Sequence, residues 1–115
     1  MDRADAAWLA GIIDGEGCLD SPRGNPRIRI KMSDHDVVLR AATLMGASTY
    51  YENIEGRKSL LVAQITGARA VEVMREILPQ LGSRRSQKAS SITLAYLHRP
   101  AAKNAVQPIS RRRAA

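Results

Sequence analysis

Cysteine, histidine and long apolar runs are all scarce in this chain, and each scarcity removes a class of protein. One cysteine, Cys18, in 115 residues excludes a disulfide framework and any zinc site built from several thiolates of one chain. His35 and His98 stand far apart with no cysteine beside them, which argues against a structural metal. No uninterrupted apolar stretch approaches the roughly 20 residues that a bilayer crossing needs. The opening Met-Asp-Arg-Ala-Asp also lacks the charged-then-apolar layout of a signal peptide. The expectation is an intracellular, cytoplasmic protein with no membrane partner.

What is present suggests one compact domain. At 115 residues with 44% hydrophobic and 25% charged, a single core is expected, over residues 1–98, with a basic, flexible tail at 99–115. The net charge of +7 suggests a polyanionic partner, but five of the 18 cations lie from Arg99 onward, where there are no acids. That leaves thirteen cations against all eleven acids in residues 1–98, so placement decides more than the total. Arginine outnumbers lysine fourteen to four, a bias that favours forked contacts to phosphate or guanine and that codon usage alone could also produce.

Asp5 reads as the cap of a helix over Ala6 to Glu16 that stops at a left-handed Gly17. Arg27-Ile28-Arg29-Ile30-Lys31-Met32 alternates cation and hydrophobe with a period of two, as a strand with one wet face does. Cys18 to Asp20 is its expected hairpin partner. Ser33 reads as the cap of a second helix closed by Gly46. A second hairpin runs from Thr49-Tyr50-Tyr51 through Glu55-Gly56 and back along Ser59 to Thr66. Helices over Ala68 to Leu78 and Gln87 to Leu97 complete an α-β-β-α-β-β-α-α order. The fold class is α+β: two hairpins joined in a four-stranded antiparallel sheet with helices on one face. Its other face, carrying Arg27, Arg29 and Lys31, is left for a ligand.

Ala7, Gly11 and Gly15 recur every four residues and form a stripe of little bulk along the first helix. Each interior glycine costs roughly 1 kcal/mol relative to alanine, so close backbone approach is expected in return. The approaching backbone belongs either to the protein's own sheet or to a second copy across a two-fold axis. Asp14 and Glu16 occupy the last turn, where a carboxylate is disfavoured by roughly 0.3 to 1 kcal/mol. In the two-copy arrangement the Glu16 carboxylates converge, which divalent ions between them would make tolerable.

The stretch Leu9-Ala10-Gly11-Ile12-Ile13-Asp14-Gly15-Glu16-Gly17 closely resembles the signature of the LAGLIDADG homing endonucleases. More loosely, the resemblance covers about residues 6–98, whose element order matches that family's αββαββα core with a further C-terminal helix. One copy of the signature implies a homodimer, with Ala7, Leu9, Ala10, Gly11, Asp14 and Gly15 at its interface. It also implies Mg²⁺ or Mn²⁺ on Glu16 and the Gly15 carbonyl, with glutamate one methylene longer than the family's aspartate. A polar residue after the second strand matches Asp34. For the cation before the last core helix, Arg84, Arg85 and Lys88 remain open.

On the DNA-facing sheet the resemblance adds Arg23, Arg57 and Lys58 from the turns to Arg27, Arg29 and Lys31, with Tyr51, Asn53 and Ser59 as further base contacts. Tyr50 and Trp8 read as packing residues, and Cys18 as a small buried one. The implied activity is site-specific double-strand DNA cleavage at a near-palindromic target, serving intron or intein mobility. Two rivals keep the same fold: a noncatalytic DNA-binding regulator, and an RNA maturase that assists splicing of a host intron.

Overall fold

The computed structural model describes residues 1–100, and the basic tail expected over 99–115 lies almost wholly outside them. Four helices and four strands follow in the order α1 (Arg3–Glu16), β1 (Gly17–Asp20), β2 (Arg27–Met32), α2 (His35–Met45), β3 (Ser48–Glu52), β4 (Leu60–Thr66), α3 (Gly67–Ile77) and α4 (Ser83–Leu97). The strands form one antiparallel sheet in the order β1-β2-β4-β3, so β2 and β4 join the two hairpins at its centre. No described helix is long and apolar enough to cross a membrane.

Alternation along β2 sets the layers. Ile28 and Ile30, opposite Ile65 and Ala63 of β4, are fully buried against Leu9 and Ile13 of α1, Val38 and Met45 of α2, and Met74 and Ile77 of α3. Burying each such side chain contributes roughly 1.5–3 kcal/mol, which fixes the register because a one-residue slip would turn the isoleucines out to water. Arg27, Arg29 and Lys31 consequently point to the uncovered face.

Helix boundaries depart from the expectation where local chemistry, not hydrophobic period, decides them. Asp2 caps α1, its side chain accepting from the Asp5 amide at 2.8 Å, so the helix begins at Arg3. Gly17 is extended (φ −92°, ψ 165°), not left-handed. Glycine is required there by space: a Cβ would sit 2.7 Å from Ile13 Cα. The cap position of α2 is Asp34, not Ser33, and its side chain makes no capping bond. Gly46 does close α2 in the left-handed conformation (φ 69°), its amide bonding back to Ala42 and Thr43. Arg69 of α3 donates to the Met45 carbonyl at 2.8 Å and completes that helix end. α4 starts at Ser83, four residues ahead of expectation, so Arg84 and Arg85 belong to its first turn.

Candidate functional site

The C-terminal end of α1 and the N-terminal end of α4 meet, and two contacts hold them together. The Asp14 carboxylate accepts from the Gly82 amide with both oxygens, at 2.9 and 3.2 Å. Arg85 Nη2 donates to the Gly17 carbonyl at 3.0 Å. Each contact spans 68 positions of sequence. Gly82 is the cap residue of α4, so Asp14 supplies negative charge to a positive helix end that lacks acids of its own. Glu16, the last residue of α1, stands exposed between these two anchors.

Glu16 has no side-chain hydrogen bond or ion pair among the described residues, in a turn whose dipole is already negative. Gly15 lies in the same last turn, where carbonyls lack intrahelical partners. Next to them opens a cleft of about 580 Å³ lined by Gly17, Cys18 and Leu19 of β1 and by Arg84, Arg85, Gln87 and Lys88 of α4. Arg84 and Lys88 are exposed, whereas Arg85 is half-buried and occupied with Gly17. Pairing of Gly17 with Ile30 brings the residues after β2, Asp34 among them, to the same end of the sheet as Glu16. Asp34 is exposed. The described residues contain no group of three or more His, Cys, Asp or Glu side chains able to hold a metal.

The glycine stripe lies outside the chain's own core. Ala7, Gly11 and Gly15 are exposed, and a Cβ added at Gly11 or Gly15 would meet nothing within 4 Å. Packing within this chain therefore makes no use of their small size. Leu9 and Ala10, expected at the same interface, are fully buried in the subunit's own core. Asp14 is half-buried and engaged with α4. A helix with 3.6 residues per turn sets Leu9 and Ala10 away from the middle of the stripe, whereas Asp14, two turns after Ala7, stays at its edge and reaches α4 from there. Beside the stripe, Arg40 of α2 stacks 4.0 Å from the Trp8 ring and lies 3.8 Å from Asp5.

The open sheet face is less basic than its sequence suggests. Arg27 grips both oxygens of Asp20, directly opposite it on β1, with Nε–Oδ1 at 2.8 Å. Lys31 Nζ bonds Glu52 of β3 at 2.9 Å. The guanidinium of Arg27 holds the Asp20 carboxyl below the usual range, and the carboxylate raises Arg27 in turn. Arg29 makes no hydrogen bond or ion pair among the described residues. Its neighbours across the sheet are Cys18 on β1 and Gln64 on β4, and Gln64 in turn faces Ser48 on β3.

Register puts the two tyrosines on different faces of the sheet, Tyr50 and not Tyr51 sharing the face of Lys31. Tyr50 pairs with Val62, opposite Lys31, on the open face, while Tyr51 pairs with Leu61 on the helix side. Tyr51 meets His35 edge-on with ring centroids 5.4 Å apart. His35 Nε2 donates to the Ser59 carbonyl at 3.1 Å, which ties the start of β4 to α2. Asn53, Arg57 and Lys58 are exposed in the loop between β3 and β4, and Arg23 is exposed in a tight turn with φ 56° between β1 and β2. Cys18 is exposed on the open face, not buried. Gln64, Asp20 and Glu52 were not singled out from sequence. Gln64 was detectable as the one polar interruption of an apolar strand, but the two carboxylates needed the register.

The arrangement of α1, the two hairpins and the outer helices is the homing-endonuclease fold. The chain superposes on the homing endonuclease I-CvuI, in complex with its target in the presence of calcium, with a TM-score of 0.69 and 18% identity, covering 89% of this chain and 73% of that one. A second I-CvuI structure, with the I-CreI target and magnesium and with the DNA not cleaved, gives a TM-score of 0.61 at 16% identity, covering 80% of this chain and 65% of that one. No family profile and no curated protein matches the sequence.

Proposed function

We propose that this chain is one protomer of a homodimeric, divalent-metal-dependent endonuclease that cuts both strands of DNA at a near-palindromic site. The observation that carries the reading is the outward-facing stripe of Ala7, Gly11 and Gly15 ending at an unpaired Glu16. Two interior glycines that serve no packing inside the chain cost stability, and a second α1 laid against them recovers it through close backbone contact. Two-fold symmetry then places both Glu16 carboxylates at the seam, where like charges repel unless a cation lies between them.

The donor set suits Mg²⁺ or Mn²⁺: Glu16 from each copy and the Gly15 carbonyl are hard oxygen ligands, and phosphate oxygens of DNA would complete them. The ion, when bound, would activate water and stabilise charge developing at the scissile phosphate. The chain's own residues do the rest. Asp14 and Arg85 fix α4 relative to Glu16, and Arg84 and Lys88, at a helix N-terminus, hold an anion beside it. Asp34 would order water at the same end of the sheet. The open sheet face follows the duplex and supplies sequence preference.

Cleavage of a plasmid library carrying randomised inserts, in Mg²⁺, tests the reading. Linear product from the wild-type chain, its loss in Glu16→Gln, and a light-scattering mass of two chains are expected. Sequence-specific binding with no product from either protein would leave the regulator in its place. A single-chain mass on DNA would remove the dimer.

A further inference from the structure

The three cations of β2 differ in what already holds them. Arg27 and Lys31, at the ends of the row, are each closed on a carboxylate of a neighbouring strand, Asp20 and Glu52. Arg29, between them, is not. Beside Arg29 on the adjoining strand sits Gln64, half-buried and making no side-chain hydrogen bond among the described residues. The centre of the face therefore carries two uncommitted planar groups in one cross-strand row, flanked by two neutralised pairs.

Chemistry assigns different work to the two kinds of position. A guanidinium offers forked donors to guanine O6 and N7, and a primary amide offers one donor and one acceptor to adenine N7 and N6. Adjacent strands are about 4.8 Å apart, near enough to the 3.4 Å rise of a duplex for long side chains to address neighbouring base pairs. A cation locked on a carboxylate gains less from a phosphate, because binding must first break or share the pair.

We infer that Asp20 and Glu52 are internal counter-ions that withhold Arg27 and Lys31 from indiscriminate phosphate contact, leaving Arg29 and Gln64 to set base preference. Arg29 selects guanine, and Gln64 selects adenine at the adjoining step. The inference rests on the DNA-binding part of the proposed function and is independent of cleavage.

Fluorescence anisotropy of the full chain on a mixed-sequence duplex, across a potassium chloride series, tests the counter-ion role. Asp20→Asn and Glu52→Gln are each expected to steepen the dependence of log affinity on log salt by about 1.8 and the double variant by about 3.6, one released phosphate-binding cation per substitution in each chain of the dimer. Binding at low salt should tighten several-fold in each. Sequencing the bound fraction of a randomised duplex pool tests the readout. Arg29→Ala should erase a guanine preference at one position of each half-site, by about tenfold or more, and Gln64→Ala an adenine preference next to it.

Slopes that stay flat or become shallower in both carboxylate variants overturn the counter-ion role. Base preferences that survive in Arg29→Ala and Gln64→Ala overturn the readout. A wild-type chain that binds duplex without cutting it defeats only the nuclease reading and leaves these measurements valid. One that binds no duplex defeats both.

Discussion

Two groups of cations face the proposed DNA, and they are built differently. On β2, Arg27 and Lys31 are neutralised by carboxylates of the same sheet. On the first two turns of α4 there are no acids, Arg85 bonds a backbone carbonyl, and Arg84 and Lys88 are exposed. Equal numbers of cations thus give unequal available charge. The helix end is suited to gripping phosphate next to Glu16, and the sheet to discriminating between sequences. The net charge of the folded part could not distinguish them, because it counts Asp20 and Glu52 without saying what they touch.

The largest effect should fall at the end of α1, beside the α4 cations. Glu16→Gln keeps the size of the side chain and removes the charge that would hold a metal, and it is expected to lower the single-turnover cleavage rate by about a thousandfold, the several kcal/mol a metal supplies. Its duplex affinity should stay within a few-fold of wild type. A variant that lost affinity and kept its rate would place Glu16 in binding, not chemistry.

Next comes the contrast between the cation groups. Arg84→Gln with Lys88→Gln removes two available charges from each chain of the dimer and should reduce the salt dependence of nonspecific binding by about 3.6. Arg27→Gln with Asp20→Asn removes a pair that is already closed and should change it little. Equal losses in the two double variants, measured over one salt series, would erase the distinction between the regions.

These contrasts also separate what the sequence displayed from what it hid. The period-two run over β2, the closure of α2 at Gly46 and the single stripe of Ala7, Gly11 and Gly15 are local patterns, and the structure places each as read, whereas the left-handed stop expected at Gly17 falls at Gly46 instead. Hidden features depend on distant partners. Asp14 looks like a solvated or interfacial acid until Gly82, 68 residues away, is found on it. Leu9 and Ala10 belong to the signature, yet the helix period turns them into the subunit's own core. Tyr50 and Tyr51 differ by one position, so only the β3–β4 register shows which shares a face with Lys31. The start of α4 is polar, Ser83-Arg84-Arg85-Ser86, and offers no apolar period, so its first turn passes for a loop.

Asp14→Ala probes the anchor that places α4. It leaves the Gly82 amide without its charged acceptor and should destabilise the protein by about 1.5–2 kcal/mol, the lower part of the range for hydrogen bonds to charged groups because Asp14 is only half-buried. Cleavage at saturating protein should fall while the wild-type rate returns in Asp14→Asn, which retains an acceptor oxygen. A melting shift with no change of rate would make Asp14 a stabilising residue alone.

The smallest expected effect concerns the Arg27–Asp20 pair itself. Arg27 lowers the Asp20 pKa in the folded state, so the pair contributes stability above the ordinary carboxylate value near 4, and that contribution is lost as pH falls further, through the depressed value. Both side chains are partly exposed, which limits the contribution to roughly 0.2–1 kcal/mol. Denaturant midpoints at pH 7 should therefore differ little between wild type and Asp20→Asn, and the small gap should close below about pH 4. A gap of several kcal/mol at pH 7 would mean that the carboxylate holds the sheet together. The contrast with α4 would then reflect folding, with no bearing on how the face discriminates between duplexes.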